Sequence, residues 1–253
     1  MKNLILLFAL LLSGQQFSYA KCIGSGIYLF SQHTTLNKNG LIIVEFHGSS
    51  QSLIPDLNKK YPIYLQSGKL KNTLLPVEIL KGEFQVTQVV FKPSTLPEKG
   101  SYTLQINGLP SHEKSLQVLT AKGFGKAVFT FNDQVDPAFP QLLAGPVYKK
   151  STMVEYGCGP AKWVYFSLSA KDDTEVFVKA SVKNNTTGKT THYLLSIENG
   201  MVGIGHGMCS GGFHFEGPGD YTVSFKLYDL SGNSTNVPGS FIFKAPATVT
   251  AEE

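Results

Sequence analysis

Gly100-Ser101-Tyr102-Thr103-Leu104-Gln105-Ile106 and Gly219-Asp220-Tyr221-Thr222-Val223-Ser224-Phe225 share the pattern G-[SD]-Y-T-[LV]-x-[IF], once in each half of a 253-residue chain. In both, a turn glycine leads into apolar residues at alternate positions, the period of a strand with one buried face. Outward from the first copy the alternation recurs at Ile42/Val44/Phe46, Ile63/Leu65 and Val89/Phe91. Around the second copy it recurs at Val164/Phe166/Leu168, Val176/Val178/Ala180/Val182, Tyr193/Leu195/Ile197 and Phe241/Phe243. After the first twenty residues no stretch holds a 3.6-residue period for three turns, so the chain reads as all-β.

A tyrosine just after a turn glycine, at the start of a late strand, is a feature of immunoglobulin-like sandwiches, where its hydroxyl returns to the backbone at a corner. The segment GPGDYTVSFKLYDLSGNSTNVPGSFIFKAP resembles the last hairpin of bacterial immunoglobulin-like and fibronectin-III-like domains, and VVFKPSTLPEKGSYTLQI resembles another such ending. The resemblance implies two tandem immunoglobulin-like β-sandwich domains, at 21–120 and 146–246. Residues 121–145, with Asp136-Pro137-Ala138-Phe139-Pro140, read as a linker or edge strand, and 247–253 as a tail. The same hairpin is similar to that of periplasmic copper-resistance sandwiches, which carry a histidine where this chain has Asn233 and another at the start of the mature chain, where this one would have Lys21-Cys22. Both ligand positions therefore depart from that pattern.

Residues 1–20 combine Lys2, an apolar run from Leu4 to Leu12 and a small-residue end at Ala20, which predicts a signal peptide. The run is shorter than the roughly 20 residues of a spanning helix, so no transmembrane segment is expected. Lys21 before Cys22 argues against a lipid anchor there. All 22 basic residues are lysines; without the planar arginine fork that grips phosphates and guanine edges, nucleic acid is not an expected partner. The expectation is a secreted protein of the bacterial periplasm, outer surface or medium.

Three cysteines occur, Cys22, Cys158 and Cys209. In an oxidising compartment, Cys158 and Cys209 are expected to form a disulfide within the second domain, with Cys22 the odd cysteine. An alternative for the stretch 203–214 is copper or zinc binding through His206, Met208 and His214, since soft and borderline ligands gather there. It lacks the repeated ligand spacing of strong metal motifs, and no cofactor is expected otherwise. Cys209 beside His206 or His214 has the minimum for thiol catalysis, with no known signature around it. The run Lys171-Asp172-Asp173-Thr174-Glu175, with Asp229 or Asn233, offers oxygen ligands for calcium, though without ordered calcium-loop spacing, and reads as a solvated turn. The sequons at Asn184, Asn185 and Asn233 read as polar turns, and His33, His47, His112 and His192 as isolated surface or strand residues.

Trp163, the only tryptophan, and Tyr165 fall on the strand face opposite Val164, Phe166 and Leu168; such a tryptophan more often fills an inter-domain or sheet–sheet core, the favoured reading, and otherwise the two are the candidate binding residues, by stacking on a sugar or a peptide. The leading expectation is a non-enzymatic, adhesion-type binding protein for a protein or glycan partner. The alternatives are a periplasmic metal-binding protein and a secreted hydrolase of unrecognised type.

Overall fold

The computed structural model describes residues 25–31, 33–110, 118–120 and 123–247. The expected leader, Cys22, His112 and most of the expected tail lie outside them. Among the described residues the chain is nearly all β, and no helix is long and apolar enough to cross a membrane.

The first half contributes β1 (Gly26–Leu29), β2 (Thr35–Leu36), β3 (Ile42–His47), β4 (Ile63–Ser67), β5 (Leu70–Lys81), β6 (Val86–Pro93), β7 (Gly100–Ile106), a small hairpin β8 (Val118–Thr120) and β9 (Gly123–Gly125), and β10 (Val128–Phe131). A 3-10 segment, Gly48–Asp56, joins β3 to β4. The strand order is β1-β3-β6-β5-β4-β7-β10-β2. β5 belongs to two ladders, pairing with β4 at Leu70–Thr73 and with β6 at Leu74–Lys81. β10 runs antiparallel to β7 and parallel to β2, closing that edge.

The second half contributes β11 (Gln141–Tyr156), β12 (Gly159–Lys171), β13 (Val176–Asn184), β14 (Thr190–Ser196), β15 (Met201–His206), β16 (Asp220–Asp229), β17 (Ser234–Asn236) and β18 (Phe241–Lys244). One sheet is β11-β12-β15; the other is β14-β13-β16-β17, with β18 also on β16. Phe166 of the first sheet meets Phe225, Phe241 and Phe243 of the second edge-on, so the two pack face to face. Both repeated tyrosines return their hydroxyls to nearby backbone, in opposite senses: the Tyr102 hydroxyl donates to the Glu98 carbonyl at 3.1 Å, and the Tyr221 hydroxyl accepts from the backbone of Glu216.

The halves are joined by a polar seam as well as by chain connectivity. Strand β6 is buried on both faces from Val86 to Phe91, whereas a sheet with one wet face would alternate. One face carries Val89 and Phe91, which pair with Val44 and Ile42 in the core. The other carries Gln88, fully buried because β14 of the second half lies over it. Gln88 Oε1 accepts from the Leu194 N–H at 3.0 Å, and its Nε2 donates to the Leu194 carbonyl at 3.1 Å. β14 is the edge strand of its sheet, so one side chain supplies both bonds that a neighbouring strand would make. Further along the seam Lys179 pairs with Glu78, Ser31 bonds Glu175, and the Leu41 N–H reaches the Leu230 carbonyl at 2.6 Å.

An unpaired buried polar group costs about 1–3 kcal/mol, and Gln88→Ala strands both Leu194 groups. The variant should therefore lower the urea midpoint by the equivalent of about 2–4 kcal/mol. Gln88→Leu, although apolar and buried, should be no better; a variant as stable as wild type would show that the amide contributes nothing.

Candidate functional site

Between the halves lies an open groove of about 680 Å³. Trp163 and Tyr165 line it from β12, Tyr193 from β14, and Glu45 and His47 from β3. The two aromatics stand on one face of β12 because Val164 and Phe166 turn fully into the core. Their ring centroids are 6.4 Å apart with planes at 28°, forming one nearly flat, half-buried strip. Across the ladder they face glycines, Trp163 opposite Gly205 and Tyr165 opposite Gly203. A Cβ on Gly203 would lie 3.2 Å from Tyr165 Cε1 and 3.3 Å from Trp163 Cε3, so its absence lets both rings settle over β15. The Lys150 ammonium stands 5.5 Å from the Tyr165 ring centroid, a cation–π contact.

The polar wall is organised by Glu45. Its Oε1 accepts from the Tyr193 hydroxyl at 2.8 Å and the Gln88 amide at 3.0 Å, and its Oε2 faces His47 Nε2 at 3.1 Å. Burial, with the adjacent Glu45 charge, pushes the Tyr193 phenol well above its ordinary value, so it stays a neutral donor. Sequence reasoning missed Glu45, Gln88 and Tyr193. A polar residue at an alternate strand position, such as Gln88, has no local signature that separates a seam from a wet face.

The His206, Met208 and His214 set is partly assembled. His206 is buried and donates from Nδ1 to the Gly207 carbonyl at 2.7 Å, and its Nε2 lies 3.2 Å from His214 Nδ1. The Gly207 bond fixes the tautomer, leaving the Nε2 lone pair to accept from His214. Burial lowers the His206 pKa, the Gly207 bond opposes this, and His214 and Lys162 add to the lowering. Met208, two residues on, is at the surface.

The β5–β6 turn of the first half docks against this pair. Phe84 stacks on His214 and meets His206 edge-on, and it exchanges backbone bonds with Gly211. A Cβ on Gly211 would come within 2.4 Å of His206 Cα, so this glycine lets its loop fold back onto the end of β15, where the Phe84 backbone meets it. Glu83 Oε2 accepts from the His214 N–H at 2.8 Å, and its Oε1 from the Thr191 hydroxyl at 2.7 Å and the Lys189 ammonium at 3.0 Å. Burial alone would raise the Glu83 carboxyl; the three donors together outweigh it and hold it below its ordinary value.

The expected Cys158–Cys209 bridge is not formed. Cys158 is half-buried and outside any disulfide. It sits at the β11–β12 turn, beyond the last rung of β12 with β15, Lys162–His206. After His206 the chain instead turns toward Phe84, where Gly211 is held. Cys209 is buried and disulfide-bonded, so it is no thiolate ligand or nucleophile, and no disulfide joins two described residues. Of the other histidines, His192 Nδ1 pairs with the Ser181 hydroxyl at 2.7 Å, and His33 borders a second cavity beside Asp136.

No protein-family model and no curated protein matches this chain. Among solved structures, a maltotriose-complexed pullulanase from Anoxybacillus sp. LM18-11 is 10% identical with a TM-score of 0.23, over 82% of this chain and 24% of that one. The Yersinia pseudotuberculosis adhesin InvE is 11% identical with a TM-score of 0.22, over 87% and 58%. The titin Z1Z2 domains in complex with telethonin are 11% identical with a TM-score of 0.20, over 90% and 98%. The chain thus spans about a quarter of the pullulanase it matches. Similarity this low is a loose likeness among β-rich chains and carries nothing finer.

Acid should weaken the seam in two steps. His206 resists protonation when folded, so the unfolded chain binds the proton first and stability falls as pH drops below its ordinary 6.5. Glu83 is held down when folded, so its contribution is present above its ordinary 4.5 and is lost as pH falls through its folded value. In thermal melts against pH, His206→Gln should flatten the upper step and Glu83→Gln the lower; unchanged profiles would remove both assignments.

Proposed function

We propose that this chain is a secreted, non-enzymatic binding protein, built as two tandem immunoglobulin-like β-sandwiches, that recognises a glycan or protein partner in the groove between them. The strand orders and the two tyrosine–backbone contacts support the domain reading. The observation that carries the function is the flat Trp163–Tyr165 strip laid over glycines in an open groove. Stacked aromatic faces beside hydrogen-bonding groups suit a sugar, whose rings offer C–H faces edged by hydroxyls, so a glycan is favoured. The non-enzymatic reading is supported by Glu45, whose oxygens are engaged by Tyr193, Gln88 and His47; a carboxylate so held is a structural acceptor.

Because Trp163 is the only tryptophan, its emission reports on the groove directly. A recognised oligosaccharide should shift or quench it saturably, and Trp163→Ala should weaken binding to that glycan by about tenfold or more, with Trp163→Phe retaining most of it. A glycan or protein ligand that leaves the emission unchanged and binds Trp163→Ala normally would place recognition elsewhere.

A second reading, copper or zinc binding, is favoured by one observation, the facing of His206 Nε2 and His214 Nδ1 at 3.2 Å. Two imidazoles fall short of the four ligands of a structural zinc site, so it ranks second. Stoichiometric copper or zinc in protein purified without chelators, lost in His214→Ala, would move it first; metal-free protein would end it.

A further inference from the structure

The irregular stretch between β10 and β11 does more than connect the halves. The Asp136 carbonyl accepts from Asn39 Nδ2 of the first half at 3.0 Å and from Asn233 Nδ2 of the second at 3.1 Å. The Asp136 N–H donates to Asn39 Oδ1 at 3.1 Å. This clamp presents its side chain to two others, Asp172 after β12 and Asp229 at the end of β16. The three each offer a carboxylate oxygen, all within 4.8 Å of one another. Asp136 and Asp229 are 8% and 2% exposed.

Every donor bonded to these carboxylates is neutral. Asp229 Oδ1 takes the N–H groups of Ser231 and Asn233, and its Oδ2 the Asn233 amide. Asp172 Oδ1 takes the Thr174 N–H and hydroxyl. Asp136 Oδ1 takes the Ala138 N–H, and Asp136 Oδ2, buried, has no hydrogen-bond partner. A buried carboxylate oxygen with no donor, beside two further carboxylates, is an arrangement that protein groups alone leave uncompensated. A cavity of about 640 Å³ adjoins it, bordered by Asp136, Asp173 and Glu175, and gives a cation an acidic approach.

We propose that Asp136, Asp172 and Asp229 bind a calcium ion that locks the inter-half segment to the two turns of the second half. Calcium is the metal that fits: the ligands are all oxygen, and three carboxylates from separate turns suit its flexible shell of about six to eight oxygens, whereas magnesium demands near-ideal octahedral geometry and holds its waters more tightly. The site is composite, since its ligands are 36 and 57 residues apart in sequence (172 minus 136, 229 minus 172), which is why no calcium-loop spacing appears. It is independent of the glycan groove and of the histidine pair.

The test uses the full mature chain, chelator-treated, with calcium chloride as the probe. Calorimetric titration should find one site, with Asp172→Asn, the least buried of the three, weakening it by about tenfold or more. About 5 mM calcium should raise Tm by several degrees, reversibly with chelator, and about 5 mM magnesium should not match it. Asp136→Asn separates the site from a folding defect by its sign. In chelator it should be at least as stable as wild type, because it removes one of three mutually repelling charges. In calcium, wild type should overtake it. No heat and no Tm shift in wild type at about 10 mM calcium, or unchanged affinity in Asp172→Asn, would overturn the proposal. So would an Asp136→Asn variant more stable than wild type both with and without calcium, which would mark the cluster as carboxylates sharing a proton.

Discussion

The amide of Gln88, held against the backbone of Leu194, is the contact on which the arrangement of the two halves depends. A free sheet edge exposes N–H and C=O groups that seek a partner, and β14 is such an edge. A strand laid there would merge the sheets of the two halves into one. A side-chain amide satisfies the same groups at one residue without continuing the ladder. The same amide donates to Glu45, which holds Tyr193 and His47, so the seam and the wall of the groove are one hydrogen-bonded unit. Because Gln88 and Tyr193 are buried, their bonds are costly to leave unmade.

The groove follows from that seam. β12 and β15 bring an aromatic face and β14 brings Tyr193, all from the second half, while β3 of the first half brings Glu45 and His47 to complete the polar wall. The glycines of Gly203-Ile204-Gly205 are absorbed into this geometry: Ile204 is fully buried in the core while its neighbours leave space under the rings. Gly211, which sequence inspection places in the stretch with cysteine and histidine, instead lets its own loop close on Gly205 and His206, and its backbone bonds Phe84 of the other half. The glycines of 203–214 thus serve backbone approach first.

Charge is distributed by the same logic. Glu83 is half-buried among three donors and held below its ordinary value, whereas Asp229 has its carboxyl raised by burial, partly offset by Asn233 and Ser231, with Asp172 adding to the rise. One acid is matched by the protein and the other is not. The unmatched one is where Asp136 and Asp172 converge. Both positions lie where the halves meet, since only there are loops from distant parts of the chain packed out of water.

By itself the sequence determined the strand alternation, the paired tyrosine motifs and the face of β12 on which Trp163 and Tyr165 stand, because these depend on a two-residue period and on neighbours within a few positions. Tertiary structure alone decided that Gln88 is buried, that Glu45 meets Tyr193, that Asp136 meets Asp172 and Asp229, and that Cys158 does not meet Cys209. Gln88 and Leu194 are separated by 106 residues and Glu45 and Tyr193 by 148. A polar residue at an alternate strand position has the same local pattern whether water or another domain covers it. The covering surface comes from the other half of the chain, so the difference between a wet face and a buried seam exists only once the two halves have packed.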